Sequence, residues 1–435
     1  MRSTLAVLSV ALAILAAVPP QASAGKAEGL PTLVTTETCV AKIHTGNLSI
    51  PPRLVASPDN RHEAHPAALR NRPLSISLDG QAYGPPLQGV IDGSLTFSPD
   101  SRRLAYVAGA PQKRARVSMI LDGVEGKQYD EILPNSLTFS PDSRRFAYLA
   151  RRGKAWFAVV DGVEMKEYDD MLPPIAFDDA GKRIAYAAKS GDKWFIVADE
   201  KKGDPYDIVF SPVFSPDGAH LAYSAKIGDE FFVVLDGVRQ KTYAALLAPS
   251  AAVFSPDSAH FCYPARRGDS WLVVADGLES PSYEAVSHPI YSPDSARLAY
   301  YALREGKVFP VVDGVEGKSY DQTGLIEFSP DSRRLAYVGF TGEKPRKATI
   351  VVDGIPGATH DSIFSIAFSP DSKRLAYLAK RGDKWIVVVD GAETKPYDNV
   401  FWGTKIVFDS PTRLHTLLRY GADLDPYCVE VEIAD

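Results

Sequence analysis

One string of about eleven residues is repeated along most of the sequence. It reads FSPDSRRLAYV from Phe97 and returns almost unchanged from Phe139, Phe328 and Phe368. Nine aromatic anchors at intervals of 37 to 42 residues head this string or its variants, and a weaker copy starts at Ala56. The anchors are Phe97, Phe139, Phe177, Phe214, Phe254, Tyr291, Phe328, Phe368 and Phe408. A fixed period of this length is typical of repeat proteins, in which one structural unit is copied many times.

A single unit reads as four short strands. In the unit that begins at Phe368, Ser-Pro-Asp-Ser predicts a tight turn, because proline presets φ and the serine and aspartate side chains bond to nearby backbone. The stretches RLAYLAK and KWIVVVD have β-character, and RGD predicts the turn between them. Asp390-Gly391 is a hairpin signal, since glycine accepts a positive φ, and KPYDNV follows as a short fourth strand. Four antiparallel strands per unit predict one blade of a β-propeller.

The units follow one another without a break. Ten units, eight of them clear, cover almost everything from about residue 52 onward, and no proline- or serine-rich segment separates them. We therefore predict an all-β fold, a single large β-propeller of about nine to ten four-stranded antiparallel blades over residues 52–435. Two smaller propellers side by side are the alternative, since four to eight blades are the usual number.

The repeats resemble those of known propeller families. The FSPDS-x-RLAY…VVD-G strings are similar to the WD-like repeats of the periplasmic TolB family and to the propellers of the prolyl oligopeptidase family. This resemblance covers residues 52–435 and implies the propeller fold. TolB has an α/β domain before its propeller, where fewer than thirty mature residues stand here, and the oligopeptidases add a hydrolase domain for which no sequence remains. The resemblance therefore implies the fold and not the activity of either family.

The N-terminus has the features of an export signal. Arg2 precedes an apolar run from Leu5 to Val18, and Ala22-Ser23-Ala24 matches a small-residue cleavage site. The run is shorter than the roughly 20 residues that cross a bilayer. We predict a cleaved signal peptide over residues 1–24, an N-terminal segment over residues 25–51, and a periplasmic or secreted protein. A retained membrane anchor is the alternative.

The two ends of the chain are predicted to meet in the last blade. The last unit stops after its third strand, and TLVTTETCVAKI, which starts at Thr32, has the β-character of the missing strand. An antiparallel pair of these strands would bring Cys39 beside Cys428, and exported proteins meet oxidising conditions. We predict a disulfide between these two residues, with two unrelated thiols as the alternative. Cys262 replaces the alanine of the repeated LAY, so we predict a small, buried thiol.

Sequence motifs for catalysis are missing. The chain has no nucleophile elbow, zinc-protease motif, phosphate-binding loop or dinucleotide fingerprint. HEAH at His62–His65 could hold a metal only in a turn, and a hairpin is expected there. His220 and His260 stand where other units have arginine, which favours surface variants. The aspartates of the Ser-Pro-Asp turns recur in every clear unit and are interpreted as turn caps. We predict no catalytic residue, no metal and no cofactor.

Functional residues of a repeat protein are best sought where the copies differ. Glu327 is the single charge at a first-strand position that is otherwise small or apolar, so we expect it to face the channel. A solvated glutamate without a role is the alternative. Two turns are longer and more basic than the others, and we predict that they form a basic rim that binds an anionic partner. The candidate rim residues are Arg114, Arg116, Lys344, Arg346 and Lys347.

Two classes of function remain open. We favour a non-catalytic, exported propeller that acts as a monomeric scaffold and binds a protein or a cell-envelope component. The net charge of −6 gives no electrostatic case for nucleic acid, and no stable membrane insertion is expected. The alternative is a propeller enzyme, a hydrolase or lyase, with its site at the mouth of the channel. The fold alone does not decide between the two.

Overall fold

The structure is a computed structural model that describes residues 30–40, 54–67, 74–109, 116–247, 252–401, 403–420 and 425–434. In this part of the chain, 44 strands form ten antiparallel sheets, which we number as blades 1 to 10 in chain order. The only helix in the same ranges is a 3-10 turn at Pro134–Ser136, so no described helix could cross a membrane. The predicted all-β propeller of nine to ten blades is confirmed.

The first strand in the chain is β1 (Thr32–Cys39), which belongs to blade 10. Blade 1 contains β2 (Val55–Ala56), β3 (Glu63–Ala67), β4 (Leu74–Leu78) and β5 (Gln81–Leu87). Blade 2 contains β6 (Thr96–Phe97), β7 (Leu104–Gly109), β8 (Val117–Leu121) and β9 (Val124–Tyr129). Blade 3 contains β10 (Glu131–Ile132), β11 (Thr138–Phe139), β12 (Phe146–Arg152), β13 (Ala155–Val160) and β14 (Val163–Glu164). Blade 4 contains β15 (Asp170–Phe177), β16 (Ile184–Ser190), β17 (Lys193–Ala198) and β18 (Lys201–Lys202).

Blade 5 contains β19 (Ile208–Phe214), β20 (Leu221–Ile227), β21 (Glu230–Leu235) and β22 (Val238–Arg239). Blade 6 contains β23 (Ala245–Leu246), β24 (Val253–Phe254), β25 (Phe261–Arg267), β26 (Ser270–Ala275) and β27 (Leu278–Glu279). Blade 7 contains β28 (Ala285–Val286), β29 (Ile290–Tyr291), β30 (Leu298–Arg304), β31 (Lys307–Val312) and β32 (Val315–Glu316). Blade 8 contains β33 (Gln322–Phe328), β34 (Leu335–Thr341), β35 (Lys347–Val352) and β36 (Ile355–His360).

Blade 9 contains β37 (Ser362–Phe368), β38 (Leu375–Arg381), β39 (Lys384–Val389) and β40 (Ala392–Glu393). Blade 10 contains β41 (Asn399–Val400), β42 (Val407–Ser410), β43 (Arg413–Tyr420) and β44 (Asp425–Ala434), together with β1. In blades 1 to 9, antiparallel pairing follows the chain from the first strand to the fourth, so each of these blades is a short meander. In blade 10, β1 pairs with β44 in the fourth position. In blades 3, 6, 7 and 10 the first strand is divided into two pieces that pair with the same second strand.

The repeated Ser-Pro-Asp-Ser turn holds its own blade and also the next one. In blade 2, the Ser98 hydroxyl donates to Asp100 Oδ1 at 2.6 Å, and the Arg103 N–H donates to Ser98 Oγ at 2.9 Å. The Asp100 N–H then donates to Ser143 Oγ of blade 3 at 3.0 Å. The same bond between blades recurs at five further junctions. These residues therefore have a structural role in the turn, as the turn-cap interpretation predicted.

The arginine after this turn joins three parts of the structure. Arg103 Nε pairs with Asp122 Oδ2 at 2.8 Å, and its guanidinium lies over the Phe139 ring of the next blade at 5.3 Å. Asp122 and Gly123 have φ values of 52° and 77°, as a type I′ hairpin turn requires. His220 takes the arginine position in blade 5, where its Nδ1 lies 2.6 Å from Asp236 Oδ2. The histidine therefore replaces arginine in an equivalent contact.

The N-terminal strand completes the last blade, as predicted. β1 pairs antiparallel with β44 over all eight of its residues. Glu37 on β1 accepts a hydrogen bond from the Tyr397 hydroxyl at 2.9 Å and pairs with Lys395 Nζ at 2.7 Å. In blade 3, Glu164 on the fourth strand makes the same contact with the Tyr129 hydroxyl of the preceding blade, at 3.1 Å. β1 therefore occupies the position of a fourth strand.

The predicted disulfide between Cys39 and Cys428 is wrong. In the pairing of β1 with β44, Cys428 lies opposite Thr38, and Cys39 lies opposite Tyr427. Because successive side chains of a strand point to opposite faces, this shift of one residue places the two thiols on different faces of the sheet. No disulfide forms among the described residues. Cys262 is fully buried as predicted, and burial raises the pKa of its thiol to about 12.

Blade 10 also contacts blade 1. Arg61 of blade 1 pairs with Asp409 of blade 10 at 2.9 Å, and the Lys405 N–H donates to the buried Asn60 side chain at 3.2 Å. Elsewhere neighbouring blades share apolar clusters, such as the one that Phe261 of blade 6 forms with residues of blade 5. The junction between blades 1 and 10 also contains an apolar cluster, which Leu54 forms with Phe401 and Leu417.

Candidate functional site

A pocket of about 610 Å³ lies between the first strands of blades 8, 9 and 10. β33 and β37 form two of its walls, and the segment before β42 forms the third. The residues that matter for its chemistry are Leu325, Glu327, Phe364, Ile366 and Lys405. First strands line the channel of a propeller, so the pocket belongs to the channel.

Two β-bulges shape the apolar part of this pocket. The pairing of β33 with β34 passes from Thr323–Gly339 to Ile326–Tyr337, so Gly324 and Leu325 face a single residue. In β37, Phe364 is the extra residue in the same way. A bulge bends its strand and redirects a side chain. Leu325 is consequently 41% exposed, which is unusual for a large aliphatic side chain on a first strand.

Hydrogen bonds from neighbouring blades hold the pocket backbone in place. The buried Tyr301 hydroxyl of blade 7 donates to the Leu325 carbonyl at 3.1 Å. The Ile406 N–H donates to Ser365 Oγ at 3.2 Å, which ties blade 10 to blade 9. Within blade 10 itself, Thr404 Oγ1 donates to the Leu417 carbonyl at 3.1 Å. The bulges are therefore fixed parts of the fold.

The pocket contains one acid and one base. Glu327 on β33 lies opposite Ala336 on β34 and is half-buried. Lys405 is exposed. Burial raises the pKa of the Glu327 carboxyl to about 7, although the Lys405 ammonium acts in the opposite direction. Within the described ranges, neither charged group forms an ion pair or a side-chain hydrogen bond. The Lys405 ammonium and, above about pH 7, an ionised Glu327 carboxylate are thus available to a ligand.

The predicted basic rim lies outside this pocket. Arg114 is outside the described residues, Arg116 and Lys344 are exposed, and Arg346 is half-buried. Lys347 pairs with Asp361 in the manner of Lys193 and Asp207 in blade 4, whose charged atoms are 2.6 Å apart. The Lys347 charge is therefore part of a repeated contact between strands. A binding role for the rim and for Glu327 stays a prediction.

The HEAH histidines have separate partners. His62 Nδ1 lies 2.7 Å from Asp79 Oδ2, in the repeated contact of the arginine position. His65 is buried, and its Nδ1 lies 2.8 Å from Glu63 Oε2. Among the described residues, no three His, Cys, Asp or Glu side chains converge as a metal would require.

Sequence reasoning identified Glu327 but missed its neighbours. Lys405 lies in the degenerate last unit, where the alignment of repeats is weak. Leu325 and Phe364 look like ordinary strand residues, because the hydrophobic pattern does not reveal a bulge. Tyr301 carried a usable signal, since the other clear units have Val, Leu, Ala, Ser or Pro at its position.

Comparisons with known proteins agree with the fold and go no further. No family model and no curated protein matches the sequence. A eukaryotic initiation factor structure has a TM-score of 0.45 and 14% identity, over 74% of this chain and 94% of that chain. TolB from Acinetobacter baumannii has a TM-score of 0.27 and 14% identity, over 66% of this chain and 80% of that chain. The β-propeller domain of the Trilobed protease from Pyrococcus furiosus has a TM-score of 0.32 and 11% identity, over 62% of this chain and 94% of that chain. Similarities this low assign neither a family nor an activity.

Proposed function

We propose that this protein is an exported, non-catalytic β-propeller that binds a protein or a cell-envelope component, with the pocket of blades 8 to 10 as its recognition site. The observation that carries the proposal is the exposed Leu325 side chain and the half-buried Phe364 ring in one pocket with Glu327 and Lys405, in a molecule that otherwise repeats one unit. The volume of this pocket, about 610 Å³, falls within the range of ligand pockets.

The alternative function, a hydrolase or lyase, draws support from Glu327. A carboxyl with a pKa of about 7 suits a general base, since such a group can take up and release a proton at neutral pH. The lining residues that the structure describes include no histidine, no cysteine and no second carboxylate beside Glu327. The lining hydroxyls of Ser365 and Thr404 are engaged in hydrogen bonds with backbone groups. A general base without a free nucleophile or a partner acid among these residues supports binding better than hydrolysis.

Site-specific photo-crosslinking tests the proposed binding site. A photoreactive residue replaces Leu325 in one variant and Val315 in a control, since Val315 is 71% exposed on the fourth strand of blade 7. After irradiation in the native envelope, we expect a discrete adduct from position 325 and none from position 315. Identical adducts from both positions, or none from position 325, would exclude the pocket. Equal melting temperatures of both variants are the folding control.

Export is tested separately. The apolar run and the Ala-Ser-Ala sequence support cleavage after residue 24. N-terminal sequencing of protein from the periplasmic or secreted fraction should begin near Gly25. A full-length chain confined to the cytoplasm would contradict export.

A further inference from the structure

We infer that the pocket of blades 8 to 10 binds a short zwitterionic peptide or amino acid with an apolar side chain. Glu327 takes the ligand ammonium, Lys405 takes the ligand carboxylate, and Leu325 and Phe364 contact the side chain. This inference rests on the proposed binding function and names the ligand class of the same pocket.

The first argument is the pairing of charges elsewhere in the repeats. Arginine pairs with the aspartate of the hairpin turn, as in Arg145 and Asp161 at 2.8 Å. Basic residues of the second and third strands pair in the same way, as in Arg267 and Glu279 at 2.6 Å. Glu327 lies apart from this pattern, and so does Lys405. An unpaired acid and an unpaired base on different blades, in one pocket, form a complementary surface for two opposite charges on one ligand.

The second argument concerns ligands of a single charge. An anion drawn to Lys405 meets the Glu327 carboxylate, and a cation drawn to Glu327 meets the Lys405 ammonium. Coulomb repulsion from the second group therefore opposes either ligand, and this effect grows where the site is shielded from water. A ligand that carries both charges gains from both protein groups. Electrostatic complementarity thus selects the zwitterion.

The third argument is the apolar surface that lines the same pocket as the two charges. Leu325 is exposed by its bulge, Phe364 lies at the second bulge, and Ile366 is almost fully buried at the pocket wall. Burial of an aliphatic or aromatic ligand side chain here removes apolar area from water. Because Tyr301 and Ser365 hold the backbone on both sides, the surface is formed before the ligand arrives.

The test uses the dipeptide Ala-Phe with free termini, its N-acetyl form and its C-terminal amide. Calorimetric titration of the full mature protein at pH 8, where the Glu327 carboxyl is mostly ionised, should show binding of the free dipeptide. Each blocked form should bind at least about tenfold more weakly. Glu327→Gln should remove the discrimination against the acetylated form alone. Lys405→Met should remove the discrimination against the amide alone. Lys154→Met, in the exposed turn between β12 and β13 and outside the pocket, is the matched control and should change neither ratio.

The outcomes separate this inference from the proposed function. Equal binding of free and blocked peptides, or ratios that neither variant changes, would overturn the zwitterion assignment. So would the absence of any binding at millimolar peptide. If position 325 still crosslinks a discrete envelope protein in that case, the binding function stands and only the ligand class is wrong. If neither experiment gives a signal, both are wrong.

Discussion

At the scale of the residue, the most repeated group in the molecule is an aspartate that stabilises a turn. The Asp100 carboxylate accepts a hydrogen bond from Ser98 and another from the Arg102 N–H. The first of these bonds is the largest cause of the lowered pKa of this carboxyl. The pKa is lowered by the same kind of serine contact at six further positions. They are Asp142, Asp217, Asp257, Asp294, Asp331 and Asp371.

These aspartates predict loss of stability in acid. A carboxyl whose pKa is lower in the folded chain stabilises the fold above its unfolded pKa of about 4. This contribution disappears as the pH falls through the folded pKa. We expect the urea midpoint of unfolding to drop progressively below about pH 4. A variant with Asp100, Asp331 and Asp371 changed to asparagine, which can still cap the turn, should lose less between pH 5 and pH 3. Identical pH profiles for the two proteins would contradict this role.

Glu327 predicts the opposite pH dependence. Because its pKa is raised to about 7, ionisation of this carboxyl costs stability once the pH exceeds the unfolded value of about 4.3, and the full cost is present above pH 7. Glu327→Gln should therefore stabilise the protein at pH 8 by on the order of 1 to 3 kcal/mol and have little effect at pH 4. Chemical unfolding at both pH values measures the difference. Equal effects at pH 8 and pH 4 would show that the carboxyl is not desolvated.

At the scale of the element, one position near the middle of each second strand has room only for a small residue. The clear units have alanine there, as at Ala302 and Ala379, except for Gly339 in blade 8. A Cβ atom at Gly339 would lie 2.4 Å from two ring carbons of Tyr320. Such a contact is shorter than any that packed atoms adopt, so the glycine is needed for the close approach of the tyrosine from blade 7.

Gly339→Ala should therefore destabilise blade 8, although alanine is the residue of the other blades. Overpacking of a tight contact costs about 1 to 3 kcal/mol. A double-mutant cycle with Tyr320→Leu checks the cause, because removal of the ring should relieve most of the effect of the added methyl. Additive losses of unfolding free energy in the two single variants would show that the contact is not responsible.

The strands, turns and bulges also show which features of this fold can be predicted from the sequence. Four strands per unit, the Asp-Gly hairpin and the Ser-Pro-Asp turn were predictable, since each depends on local backbone preferences repeated in many copies. The bulges at Leu325 and Phe364 were not, because one extra residue leaves the apolar pattern almost unchanged. Glu327 was found by comparison of the copies, whereas Lys405 belongs to a unit too degenerate to compare. The chemistry of the pocket therefore required the structure.

At the scale of the whole molecule, the first and last strands that the structure describes, β1 and β44, meet in blade 10. The sequence predicted that the N-terminal strand would pair with the last strand, because the last unit lacks a fourth strand. It did not predict the register, and an error of one residue is enough to separate Cys39 from Cys428. The structure therefore holds the ends together by strand pairing and by Glu37, with its bonds to Lys395 and Tyr397.

Deletion of residues 30–40 tests this role of β1. The deletion leaves the edge of β44 unpaired and uncovers the apolar cluster against which Leu33 packs, so we expect a melting temperature several degrees lower and a tendency to aggregate. A synthetic peptide with residues 30–40 should restore the melting temperature when added in trans, and a peptide of scrambled order should not. The double variant Cys39→Ser, Cys428→Ser serves as the control for covalent closure. Reductant should leave the melting temperatures of the wild type and of this variant unchanged, since the strand pairing and not a disulfide joins β1 to β44. A deletion variant as stable as the wild type would show that blade 10 does not need β1.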